Sequence, residues 1–172
     1  MLISRQKVLF LELLNVYLCY THYRIKRIEK ASNIVVAIDG SSKKGTSYFA
    51  VILNNGLSTP FASQSQRSCD GTAQGEARLA ISMLKDIFYM AKEFNSALND
   101  EANWLNNLFQ KISGLMSDSC NTANAMKKAF AELVREETGN EDQIITHLDC
   151  LMHYIGVVFE RFIKIIQQFL NS

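Results

Sequence analysis

The chain reads as mainly α, within an α+β class: a multi-helix bundle with a small antiparallel β meander inserted after the first helix. Three observations predict this. Apolar residues recur at steps of three and four through most of the chain, the period of one helical face. A β-branched stretch near residues 33–53 interrupts that period. Pro60 is the only proline, so little else in the chain stops a helix.

In the first predicted helix, residues 3–30, Leu9, Leu13, Val16, Tyr20 and Tyr23 share a face, which is expected to be buried. Arg5 and Lys7 before the apolar run 8–20 resemble the start of a signal peptide. Glu12 and Asn15 interrupt that run, no small-residue cleavage site follows, and it is too short to span a bilayer. Residues 33–38, 46–53 and 57–63 then read as strands, with residues 39–45 as a turn or loop, a second turn at Asn54, Asn55 and Gly56, and a polar loop over 63–71.

From Thr72 the chain reads as helix to its end, broken three times. Ala73, Ala77, Ala80, Leu84, Ile87, Ala91, Phe94 and Leu98 form one seam. Asn99 and Asp100 can cap a helix carrying Trp104, Leu105, Leu108, Phe109, Ile112, Leu115 and Met116, and residues 117–119 supply the next break and cap. Met126, Phe130 and Leu133 mark a shorter helix ended by Thr138, Gly139 and Asn140. The last predicted helix, residues 144–170, has Ile144, Leu148, Leu151, Ile155, Val158, Phe162, Ile165 and Phe169 on one seam and Ile145, Met152, Phe159 and Ile166 beside it. That width asks for two neighbours, which residues 72–136 can supply within one bundle. The expected organisation is one domain, 1–172, with an N-terminal helix (1–31), a meander (33–63) and the bundle (72–171).

Composition restricts the function classes. The chain has 172 residues, 48% apolar and 20% charged, with a formal charge of +1. This is the mix of a globular protein large enough to fold without metal or disulfide. There is no strong nucleic-acid signal; the nearest is Arg24, Lys26, Arg27 and Lys30, which also suit a solvated helix end. The scattered Cys19, Cys69, Cys120 and Cys150 read as reduced and mostly buried, with a Cys120–Cys150 pair possible in an oxidising compartment. His147, Asp149, Cys150 and His153 have metal-binding chemistry but diverge around a helix. Lys43 and Lys44 before Gly45 lack the helix entry of a phosphate loop. With three histidines, a nucleophilic triad has few candidates. The methionines of the helical patterns read as core filler.

Residues 33–77 carry a further pattern. A strand ends in Asp39, Gly40 and Ser41, a second and third strand follow, and Gly71, Thr72, Ala73, Gln74, Gly75, Glu76 and Ala77 open a helix. This resembles the first hairpin and following helix of the ribonuclease H-like family. The resemblance implies divalent-metal nuclease chemistry, or an inactive relic of it, with Asp39 and Glu76 as ligands. The family's next strand, which bears another essential Asp, is missing after Asn95, where helix continues; only residues 144–149, ending in Asp149, could imitate it, after a long insertion and at the expense of the last helical seam.

Taken from the seams, the expectation is a non-enzymatic protein-protein interaction module: an adaptor, chaperone or complex subunit without cofactor, metal or catalytic residues. It would bind a protein partner or self-associate through Ile155, Phe159, Phe162, Ile166 and Phe169. A cytoplasmic location goes with it, with membrane contact left open only through the N-terminal apolar helix.

Overall fold

The computed structural model describes residues 5–43, 46–55, 62–67, 71–94, 99–118 and 120–170. The elements run α1 (Arg5–Lys30), β1 (Ile34–Lys43), β2 (Thr46–Asn54), β3 (Ala62–Arg67), α2 (Ala73–Phe94), α3 (Glu101–Gln110), β4 (Ile112–Ser117), α4 (Asn121–Thr138), β5 (Thr146–Asp149) and α5 (Leu151–Leu170). The protein is mixed α/β, built on a five-stranded sheet of order β3-β2-β1-β4-β5. β1 and β3 pair antiparallel with β2, whereas β1, β4 and β5 run parallel. The expectation of a bundle beside a simple meander is therefore corrected: the meander is one half of a larger sheet whose other half comes from the region predicted to be helical.

Alternation along β1 explains which face is covered. Ile34, Val36 and Ile38 are buried, as are their neighbours Phe49, Val51 and Leu53 on β2. On this side lie Ala77, Ala80, Leu84 and Ile87 of α2, Leu108 and Phe109 of α3, and Met126, Phe130 and Val134 of α4. The α2 seam is thus legible in the sequence through Ala91, which is fully buried; the side chain of Phe94 and residue Leu98 lie outside the described residues. Val35, Ala37 and Met116 face the opposite way and are only half-buried.

Several predicted boundaries move. α3 stops at Gln110, and Ile112 and Leu115 pass into the core on β4 rather than on a helix. The predicted loop 63–71 contributes β3, and residues 40–43 extend β1 instead of forming a turn. The predicted strand residues 57–61 lie outside the described residues. Asp100 caps α3 as expected, accepting from the Asn103 N–H at 3.0 Å. Cys120, not residues 117–119, caps α4, and Gly139 ends it with a positive φ of 63°. On α1 the seam of Leu13, Val16, Tyr20 and Tyr23 is exposed, while Thr21, Ile25 and Ile28 are buried.

The join between α3 and β4 depends on one buried side chain. Gln143 donates through Nε2 to the Phe109 carbonyl at 2.9 Å and the Ile112 carbonyl at 3.0 Å, and its Oε1 accepts from the Thr138 hydroxyl at 3.2 Å. Replacing Gln143 with Leu leaves two backbone carbonyls without this donor in a low-dielectric interior. The expected loss is about 2 kcal/mol, read as a lowered urea midpoint with unchanged slope.

Candidate functional site

Asp39 and Asp118 lie toward the carboxyl ends of the parallel strands β1 and β4. β1 and β4 pair with Val35 opposite Gly114, Val36 opposite Leu115 and Ala37 opposite Met116. Continued two residues further, this one-for-one register sets Asp39 opposite Asp118, on strands about 4.8 Å apart. Alternation along β1 turns exposed Asp39 away from the face that buries Ile38, while Asp118, one residue past the end of β4, is half-buried. Glu76 comes from the first turn of α2. That turn is fixed by the Thr72 hydroxyl, which accepts from the Gly75 N–H at 3.0 Å.

Glu76 and Asp118 line the same open cavity, about 190 Å³ in volume. Ile38 and Gly40 also line it, as do Ser117, Cys120 and Met126, whereas Asp39, between Ile38 and Gly40 on β1, is not among the lining residues and faces the other side of the sheet. Sequence reasoning therefore named two acids of this edge and missed Asp118, because it assigned the residues before it to a helix. Among the described residues, no three acidic, histidine or cysteine side chains stand together as a metal site. Chemically, carboxylates carried on three separate elements are hard oxygen donors suited to Mg²⁺ or Mn²⁺.

The neighbouring strand adds an ion pair whose lysine is buried and whose carboxylate is exposed. Lys127 of α4 has only 2% of its side chain exposed and donates from Nζ to Asp149 Oδ1 at 2.6 Å and to Asn124 Oδ1 at 3.4 Å. Asp149 ends β5 opposite Ser117. The imidazole of His147, two residues earlier, titrates below its ordinary range, chiefly through burial and then through the positive charges of Lys127, Arg135 and Lys128. Its neutral form is thus favoured in the folded chain. The unfolded chain binds the proton more readily, so this contribution to stability is complete above pH of about 6.5 and falls away as the pH is lowered. In a His147→Gln variant, the loss of stability on acidification below that value is expected to be smaller, as measured by thermal melts across pH.

The other predicted sites fare differently. His147 and Asp149 lie on β5, not on a helix, and the side chain of His153 is outside the described residues. Cys19 and Cys120 are exposed and Cys150 half-buried, all three unpaired, so the expectation of mostly buried cysteines fails for them; Cys69 is not described. The predicted helix 144–170 begins at Leu151, because residues 146–149 form β5. Its seam is not a bundle wall. Ile155, Phe159, Phe162, Ile166 and Phe169 are 40%, 62%, 58%, 42% and 81% exposed, and α5 makes no more than sparse contacts with other elements. No helix among the described residues is long and apolar enough to cross a membrane. No protein-family model matches the chain, and no curated protein matches its sequence.

Proposed function

We propose that the protein is a divalent-metal-dependent nuclease of ribonuclease H-like type, with Asp39, Glu76 and Asp118 as its acids. The observation that carries this is the parallel pairing of β1 with β4, observed as far as Ala37 opposite Met116, which brings the chain ends bearing Asp39 and Asp118 alongside each other, while Glu76 and Asp118 share a cavity. The order along the chain supports it as well. An antiparallel hairpin, a third strand, a helix with Glu76 and a strand followed by an Asp are the parts the resemblance implies, and β4 with Asp118 is the part the sequence reading lacked.

The three carboxylates would hold the cation. When bound, it supplies charge stabilisation at a phosphodiester and a more acidic water. The chain's own contribution is placement. Parallel pairing of β1 with β4 brings two acid-bearing chain ends alongside each other, and the hydroxyl-capped start of α2 carries the third acid. Carboxylates sharing an edge repel one another, so they turn apart unless a cation lies between them. Exposed Asp39 has room for that rotation. The same repulsion applies to a polyanionic substrate, which makes cleavage strictly dependent on the cation. The test is incubation of labelled RNA, DNA and RNA–DNA hybrid with Mg²⁺ or Mn²⁺ against an EDTA control. Cation-dependent cleavage supports the reading. Cation binding without cleavage of any of the three supports the inactive form, and neither binding nor cleavage overturns both.

A second reading, an interaction module working as an adaptor, chaperone or complex subunit, is favoured by one observation: the apolar positions of α5 take up about half its circumference and are exposed. Such a face is rarely left to water. Phe162→Glu is expected to leave the melting temperature of the monomer nearly unchanged, within about 0.5 kcal/mol, because that side chain is more than half exposed. It should also abolish any self-association seen by light scattering. Unfolding of the monomer would contradict this reading.

A further inference from the structure

We propose that the apolar face of α5 is covered by α5 of a second copy of this chain. The inference names the partner of the interaction module read above, and in that sense rests on that reading. Successive residues of a helix are about 100° apart, so Leu151, Ile155, Val158, Phe162 and Ile165 fall in one row, with Phe159 and Ile166 in a second row beside it. These residues are 40–69% exposed. A large apolar side chain that is half exposed leaves on the order of 100 Å² to water, so the face offers roughly 700 Å² on each copy. That approaches the area of about 800 Å² that each partner gives to a stable interface of standard size.

Charge decides which occupant fits. Glu160, Arg161 and Lys164 are the only charged residues of α5. By the same helical period, Glu160 and Lys164 fall on the side opposite Phe162, and Arg161 lies at the rim. Two copies can therefore bring the same face together, as a two-fold axis requires, without burying a charge between them. A lipid surface is less well served. Helices that lie in a bilayer interface are rich in Lys and Arg on their polar side, whereas α5 has two such residues, offset in part by Glu160. The apolar surface also continues past the helix. β5 ends the sheet among the described residues, Ile144 just before it and Leu148 within it are 81% and 39% exposed, and a single residue, Cys150, joins it to α5. A copy seated on α5 shelters that strand edge as well, which otherwise invites unspecific pairing.

The test is light scattering on the full chain after size-exclusion chromatography. Interfaces of this size hold with micromolar or tighter affinity, so at about 50 µM the mass should be at least twice 19.5 kDa. It should not fall between about 50 mM and about 500 mM salt, because the contact is apolar. Phe159→Glu combined with Phe162→Glu should return the chain to 19.5 kDa with its circular dichroism unchanged. Lys164→Glu, on the opposite side of the helix, should leave the mass as in the wild type. A wild type that runs at 19.5 kDa overturns the proposal, as does a double Phe variant that stays associated. So does a monomeric chain that co-sediments with phosphatidylserine vesicles. A monomer that binds a different protein, and loses it in the double variant, overturns this proposal and leaves the module reading standing. A monomer with no partner that depends on Phe159 and Phe162 overturns both.

Discussion

Asp118→Asn is expected to lower Mg²⁺-dependent phosphodiester cleavage by roughly a thousandfold. The argument is electrostatic. A divalent cation held by carboxylates contributes several kcal/mol of charge stabilisation to the reaction, and about 4 kcal/mol corresponds to that factor. An amide keeps the size and one oxygen of the side chain but removes the charge that draws the cation between β1 and β4. Because Asp118 is half-buried and follows β4 instead of sitting in its core, the variant should melt close to the wild type. Loss of cleavage without loss of stability separates a ligand from a structural residue. Asp39→Asn should behave alike, while a distant exposed acid such as Glu132 should be silent when neutralised.

The second large effect concerns stability and is asymmetric. Removing Asp149 strands the ammonium of Lys127, whose side chain is 2% exposed, with only the longer contact to Asn124. Asp149→Ala is therefore expected to destabilise the fold by about 3 kcal/mol, since a buried charge that loses its partner keeps its desolvation cost. With a urea slope of about 2 kcal/mol/M, the midpoint should drop by about 1.5 M. Lys127→Met removes the charge itself and nearly preserves volume, while the exposed Asp149 carboxylate rehydrates, so it should cost about 1 kcal/mol or less. Equal costs for the two variants would mean that the Lys127 ammonium is not held in a buried position. The double variant should resemble Lys127→Met alone, because once the ammonium is gone nothing depends on Asp149.

How much of this was legible beforehand depends on the local signal. The β1–β2 hairpin announces itself through β-branched residues, and the Ala-rich seam of α2 through a period sustained across five turns. β4 did not. Ile112 and Leu115 are three apart, which suits a helix as well as a bulged strand, and they continue the seam of Trp104 and Leu108 without a gap. The one contrary sign was Gly114 inside the pattern, costly in a helix interior; here it lies between Val35 and Thr146, where a methyl group would sit 3.4 Å from the Val35 side chain. β5 was hidden for a related reason, since Ile144, Leu148 and Leu151 fit a helical seam although Leu148 lies on an edge strand. Strand pairing is a long-range property, and no local period records that residues 112–117 return to lie beside residues 34–37. With β4 read as helix, Asp118 could not be placed beside the strand that carries Asp39.

Period also does not say what an apolar face meets. The α2 seam and the α5 seam look alike in sequence, yet the first is core and the second faces outward. The difference lies in what precedes each helix. Residues 71–72 turn α2 back over the sheet, with Gly71 at a φ of 63°, whereas a single residue, Cys150, separates edge strand β5 from α5.

The proposed cation site of Asp39, Glu76 and Asp118 can be tested without any assay of cleavage. Diffraction from crystals soaked in Mn²⁺, with anomalous data collected, addresses it directly. The account predicts an anomalous peak within coordination distance of carboxylate oxygens from Asp39 and Asp118, with Glu76 turned toward it, and no such peak in Asp118→Asn. Manganese bound only elsewhere, or carboxylates that stay apart in a saturated crystal, would contradict it.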